Sequence, residues 1–142
     1  MLIDRPRLEG LIPHGRKMCQ LDQVLAWDRE KIICKTTAHR RQDNPLKEAG
    51  RLGLVILVEF GAQAAAVHIA LSQQGSKNQR VVYLGAIKDL ILSGDYIEEV
   101  DGFLTVEVNC ILNTENGAIY SMQVHTADQE LISGRLSLLQ EG

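Results

Sequence analysis

A chain of 142 residues suits one domain and is long enough to bury a substantial core. Its 45% hydrophobic and 23% charged residues are those of an ordinary globular protein, and only 4% aromatics leave the core to aliphatic side chains. A net charge of −3 and a pI near 5.8 argue against a nucleic-acid binder, and no basic amphipathic stretch marks a membrane surface.

The opening Met1-Leu2-Ile3-Asp4-Arg5-Pro6-Arg7 lacks the apolar run of a signal peptide. Cys19, Cys34 and Cys110 have neither metal-ligand spacing nor the even count of a disulfide framework. The expectation is a reduced, cytoplasmic chain with small buried thiols and no metal or cofactor.

Residues 1–20 read as irregular, broken by Pro6, Gly10, Pro13 and Gly15. Strands follow over 21–28 and 31–39, joined by a turn at Asp28-Arg29-Glu30, with His39 ending the second. A polar loop, 40–51, leads into a helix from about Leu52 to Gln74. That stretch is rich in Leu and Ala, has no proline, and meets Gly75 where a C-terminal cap belongs. Glu59, Gln63 and His68 within it argue against a lipid-spanning segment. It is apolar nearly all the way round, so other structure must wrap it.

Residues 81–92 read as a strand, followed by an acidic, turn-rich loop. Over 103–112 the pattern alternates, with Leu104, Val106, Val108, Cys110 and Leu112 on one face. Asn116-Gly117 is a hairpin dipeptide, and further strands fall over 119–126 and 131–139. Two strands, one long helix and then a run of strands predict a single α+β domain over 1–142. Its architecture is an antiparallel sheet wrapped around one long central helix. A sheet this small pairs readily with another, so a dimer is expected.

Glu59 is the carboxylate that stands out, because its neighbours are Leu57, Val58, Phe60, Gly61 and Ala62. A buried carboxyl group must be paired, hydrogen-bonded or protonated, and those are the conditions of a general acid or base. A solvated Glu on a polar stripe is the plainer reading, about equal in weight in such surroundings. Gln63, one turn on, can hydrogen-bond to it. His68 lies nine residues on, roughly on the opposite face, and reads as a surface or satisfied core histidine. His14 and His39 are the histidines that could approach the helix, while His125 points to solvent. No glycine-rich phosphate loop, His/Cys cluster or Gly-x-Ser-x-Gly elbow is present.

Six segments, in order, then carry a resemblance. They are Leu11-Ile12-Pro13-His14, Gln20-Leu21-Asp22-Gln23-Val24, Asn44-Pro45-Leu46, Glu59-Phe60-Gly61-Ala62-Gln63-Ala64-Ala65, Leu84-Gly85-Ala86-Ile87-Lys88 and Ser93-Gly94-Asp95. Together they resemble the hot-dog-fold 3-hydroxyacyl-acyl-carrier-protein dehydratases of fatty acid synthesis, over about 11–139. The resemblance implies a hot-dog fold. It also implies a helix Glu paired with a His across a dimer interface, the His removing the proton beside the thioester carbonyl and the carboxyl group helping expel the hydroxyl. Glu59 takes the carboxylate role by position and Gln63 a supporting one. Gly53, Tyr83 and Gly85 are expected to contact substrate.

The family's Gly-His-Phe-Pro-Gly loop is replaced by Leu46-Lys47-Glu48-Ala49-Gly50-Arg51-Leu52-Gly53, shorter and without a His. That loop is more similar to the accessory dehydratase-like subunits of aryl polyene pathways, which work beside a second hot-dog subunit. Three readings stay open: a dehydratase component whose base comes from a partner or from His14 or His39; an acyl-thioester hydrolase in which Glu59 activates water; and a silent acyl-binding scaffold. The implied ligand is an acyl thioester on pantetheine, carried by acyl carrier protein or CoA. The implied assembly is a homodimer or a heterodimer with a second hot-dog subunit. Lys88, Arg40, Arg41 and Arg51 are candidate partners for the pantetheine phosphate, with solvated charges the plainer reading for each.

Overall fold

A computed structural model describes residues 3–12, 18–73, 81–97 and 102–141. Over residues 3–11 the lead-in is regular where the sequence suggested an irregular segment: a short strand β1 (Ile3–Asp4) runs into helix α1 (Arg5–Leu11). Pro6 does not oppose α1, because a first-turn residue has no helical partner for the N–H that proline lacks. Leu8 anchors α1 in the core with no exposed surface.

Strands β2 (Gln23–Trp27) and β3 (Lys31–Thr36) form the expected hairpin. β3 stops at Thr36, so His39 lies in a 3-10 turn, Ala38–Arg40, rather than at a strand end. Side chains turn the chain off the sheet there. The Asp22 carboxylate accepts from the Thr37 N–H and from its hydroxyl, both at 2.7 Å. The Ala38 N–H donates to Thr36 Oγ1 at 3.0 Å.

The central helix opens with a 3-10 turn, Leu54–Ile56, and continues as α2 (Leu57–Ser72). The expected end at Gln74 and cap at Gly75 lie outside the described residues. β4 (Val81–Leu92), β5 (Leu104–Asn113), β6 (Gly117–His125) and β7 (Glu130–Glu141) complete one antiparallel sheet in the order β1-β2-β3-β5-β6-β7-β4. β5 departs from strict alternation. A register shift between Cys110 and Leu112 leaves Ile111 and Leu112 exposed, so Leu112 does not join the inward face of Leu104, Val106 and Val108.

α2 packs on β3, β5 and β6, burying Leu57, Phe60, Val67 and Ile69 against Ile32, Val106, Tyr120 and Val124. Each such side chain contributes about 1.5–3 kcal/mol of transfer free energy. Gly61 permits the close seating, since a Cβ there would fall 2.7 Å from Met122 Sδ. The stretch Leu54–Ser72 is apolar and long enough to cross a membrane, but 67% of its most apolar window is buried inside the chain.

The wrapping is incomplete along one stripe. Glu59, Ala62, Ala66 and Ala70, spaced three and four apart, stay partly accessible. Beside part of that stripe runs β4, an edge strand that pairs only with β7 among the described strands.

Candidate functional site

Glu59 is in the first turn of α2, half-buried, on the floor of an open groove of about 150 Å³. Ala62 and Ala66 continue the floor, Val82, Tyr83 and Leu84 of β4 form one wall, and Ile12 after α1 closes one side. Methyl side chains at 62 and 66 make the groove: the helix repeat brings them under Glu59, and neither fills the space above it. The lining is apolar apart from Glu59, Gln63 and the hydroxyl of Tyr83. Such a surface suits an acyl chain presented to one carboxyl group.

Gln63 holds Glu59 as expected, its Nε2 donating to Oε1 of Glu59 at 3.1 Å. Gln63 is itself buried and anchored to the lead-in, donating to the Met18 carbonyl at 2.7 Å and accepting from the Gln20 N–H at 2.8 Å. The segment before β2 therefore forms part of the site. Sequence reading took Ile12, Gln20 and Ala62 only as motif matches and left Ala66 unassigned. The small residues at 62 and 66 were the available signal.

The other expected site residues divide. Tyr83 lines the groove, 45% exposed. Gly85, two residues along β4, is outside the lining and sits at a register shift, where Leu139 leaves a Cβ only 3.0 Å of clearance. Gly53 is away from the lining too. It forms a bridge with Tyr96, next to the bond from the Leu54 N–H to the Asp95 carbonyl at 2.8 Å. His39 is buried in its 3-10 turn and does not line the groove. His14 lies outside the described residues.

The shortened loop has a definite shape. Glu48 and Arg51 exchange two main-chain hydrogen bonds of 2.9 Å around Ala49 and Gly50, whose φ values are 51° and 76°. Positive φ at both central residues gives a tight, mirror-image hairpin turn. Arg51 stacks its guanidinium 3.6 Å from the Tyr96 ring centre. His68 is the core histidine of the two readings: it is buried, with its ring nitrogens bonded to Tyr120 and to the Asp28 carbonyl. Cys19 and Cys34 are buried, and burial pushes the Cys34 thiol up to about 12. Among the described residues, no group of three or more His, Cys, Asp or Glu could hold a metal ion.

A family model described as ApeP-like, ApeP dehydratase, matches residues 6–142. Among solved structures, the dehydratase heterocomplex ApeI:P from Xenorhabdus doucetiae is similar, with a TM-score of 0.84 and 20% identity over 95% of this chain and 91% of that one. A Streptococcus mutans protein bound to acetyl CoA gives a TM-score of 0.66 at 11% identity, covering 92% of this chain and 96% of that one. A hypothetical thioesterase with coenzyme A from Streptococcus pneumoniae gives 0.62 at 8% identity, covering 84% of each chain. These likenesses show a shared fold, the hot-dog sheet and helix. No curated protein matches the chain by sequence.

Proposed function

From the premise that this chain belongs to the ApeP-like dehydratase family, we propose that it is one subunit of a 3-hydroxyacyl-thioester dehydratase, with Glu59 as its acid. The observation that carries this reading is the half-buried Glu59 carboxyl, held by Gln63 at the floor of an apolar groove open along the β4 edge. The substrate is an acyl thioester on a pantetheine arm, its chain lying along Ala62 and Ala66.

Elimination requires a base to take the C2 proton beside the thioester carbonyl. The electron pair forms the C2=C3 double bond as the C3–O bond breaks. Glu59 supplies a proton to the departing hydroxyl, which leaves as water. Among the described residues no histidine lines the groove, and in this reading the base comes from a second hot-dog subunit seated against β4 rather than from His14, which lies outside the described residues. Two features favour that seat. β4 is an edge strand with Tyr83, Ile87, Ile91 and Leu92 exposed, and an apolar edge invites strand pairing. The partly accessible stripe of α2 lies beside it.

The test follows enoyl absorbance and free thiol together, with a 3-hydroxyacyl thioester as substrate, for the chain alone and with a hot-dog subunit encoded nearby. Enoyl product that requires the second subunit is the expected result. Thiol release by the chain alone, without enoyl product, would replace this reading with a thioesterase.

A further inference from the structure

Three primary amides, Gln20, Asn44 and Gln63, are buried at 0%, 4% and 3% exposure beside the core, where apolar side chains of similar size would pack without a desolvation penalty. Their hydrogen bonds form one connected chain. Asn44 Oδ1 accepts from the Leu46 N–H at 3.0 Å, and its Nδ2 donates to the Ala38 carbonyl at 2.9 Å and to Gln20 Oε1 at 2.7 Å. Gln20 Nε2 donates to the Met18 carbonyl at 3.2 Å, which also accepts from Gln63.

Main-chain groups fix every orientation in this chain. A backbone N–H only donates and a carbonyl only accepts. The Leu46 N–H and Ala38 carbonyl allow Asn44 one orientation, so its Nδ2 faces Gln20. Gln20 must answer with Oε1, which turns its Nε2 to the Met18 carbonyl. The Gln20 N–H holds Gln63 by Oε1, leaving Nε2 to face Met18 and Glu59. Gln63 can therefore only donate to Glu59 Oε1, and that oxygen can only accept. A proton carried by Glu59 stands on Oε2.

We propose that Gln20 and Asn44, neither of which lines the groove, are positioning residues: their side chains hold the Met18–Gln20 main chain whose carbonyl and N–H orient Gln63, and so make Oε2 the proton-transferring oxygen of Glu59. The proposal rests on Glu59 being the acid of the reaction. It also ties Leu46, at the start of the shortened loop, to the carboxyl group through bonds that meet at the Met18 carbonyl.

The test uses Gln20→Met, Gln20→Glu and Asn44→Asp, each read two ways: as hydrogen exchange of the Gln63 side-chain amide by NMR in the folded chain, and as kcat and KM with the second subunit present. In Gln20→Met and Asn44→Asp the Gln63 protons should exchange at least about 10-fold faster, and kcat should fall about 10-fold or more, the scale of a small misplacement of a reacting group. KM should stay within about twofold, because substrate binding is untouched. Gln20→Glu should show the same deficit at high pH and recover as the pH falls, since only the protonated carboxyl group can donate to the Met18 carbonyl. A Gln20→Glu deficit equal at every pH would overturn the proposal, as would variants with wild-type exchange and kcat. Failure of the underlying reading shows separately, as turnover that survives Glu59→Gln, while the exchange measurement needs no turnover.

Discussion

His68 Nδ1 lies 2.6 Å from the Tyr120 hydroxyl, and its Nε2 lies 2.8 Å from the Asp28 carbonyl. The carbonyl can only accept, so Nε2 carries the proton and Nδ1 accepts from Tyr120. The imidazole is neutral in this arrangement, and burial holds its pKa below the ordinary 6.5. The same burial pushes the Tyr120 phenol upward. As pH falls through 6.5, the unfolded imidazole takes up a proton before the folded one does. Stability contributed by neutral His68 is therefore present above that range and lost below it. Denaturant unfolding at pH 7.5 and pH 5 should show this loss in the wild type, and His68→Gln should flatten the dependence.

Removing the phenol hydroxyl tests the same contact from the other side. Tyr120→Phe leaves Nδ1 buried without its donor, which should cost about 1–3 kcal/mol of unfolding free energy. Unfolding at neutral pH measures it, and an unchanged midpoint would mean that the contact contributes nothing.

Ala49 occupies left-handed backbone, with φ of 51°, at the first central position of the Glu48–Arg51 turn. Asn tolerates that region and is the preferred partner of a following Gly in such turns. Ala49→Asn should stabilise the chain by about 0.5–1 kcal/mol, because local hydrogen bonding by the Asn side chain offsets part of the roughly 1–2 kcal/mol that left-handed backbone costs a residue with a Cβ. A raised thermal midpoint with unchanged activity is the expected outcome.

Ile87 and Ile91 on β4 are 42% and 67% exposed. If a second subunit pairs with this edge, a charge there should block it without harming the monomer fold. Ile87→Lys should shift the complex to separate subunits in light scattering while leaving the unfolding midpoint of the isolated chain within about 0.5 kcal/mol. A complex that survives the substitution would place the interface elsewhere.

Much of this arrangement was legible in the sequence. Alternation located β5 and β6, and the helix was marked by its Leu and Ala content. The Glu59–Gln63 contact followed from four-residue spacing. Where tertiary contacts rule, the reading missed. α1 was hidden by Pro6, which a first turn tolerates. The end of β3 is set by Asp22 and Thr36, side chains whose partners sequence spacing does not reveal. The tight turn at Ala49-Gly50 lacks the usual Asn, so its φ values left no trace. Gly53 and Gly85 fell outside the groove because a resemblance aligns backbone positions without showing which ones face the cavity.

The central claim is that Glu59 supplies the proton for elimination in a groove completed by a second subunit. Its most direct measurement is the dehydration rate of a 3-hydroxyacyl thioester by the two-subunit complex carrying Glu59→Gln. Loss of the acid should lower kcat by about 10²–10⁴, with the complex still assembled. Wild-type turnover from an assembled Glu59→Gln complex would contradict the account and make this chain a scaffold for its partner's chemistry.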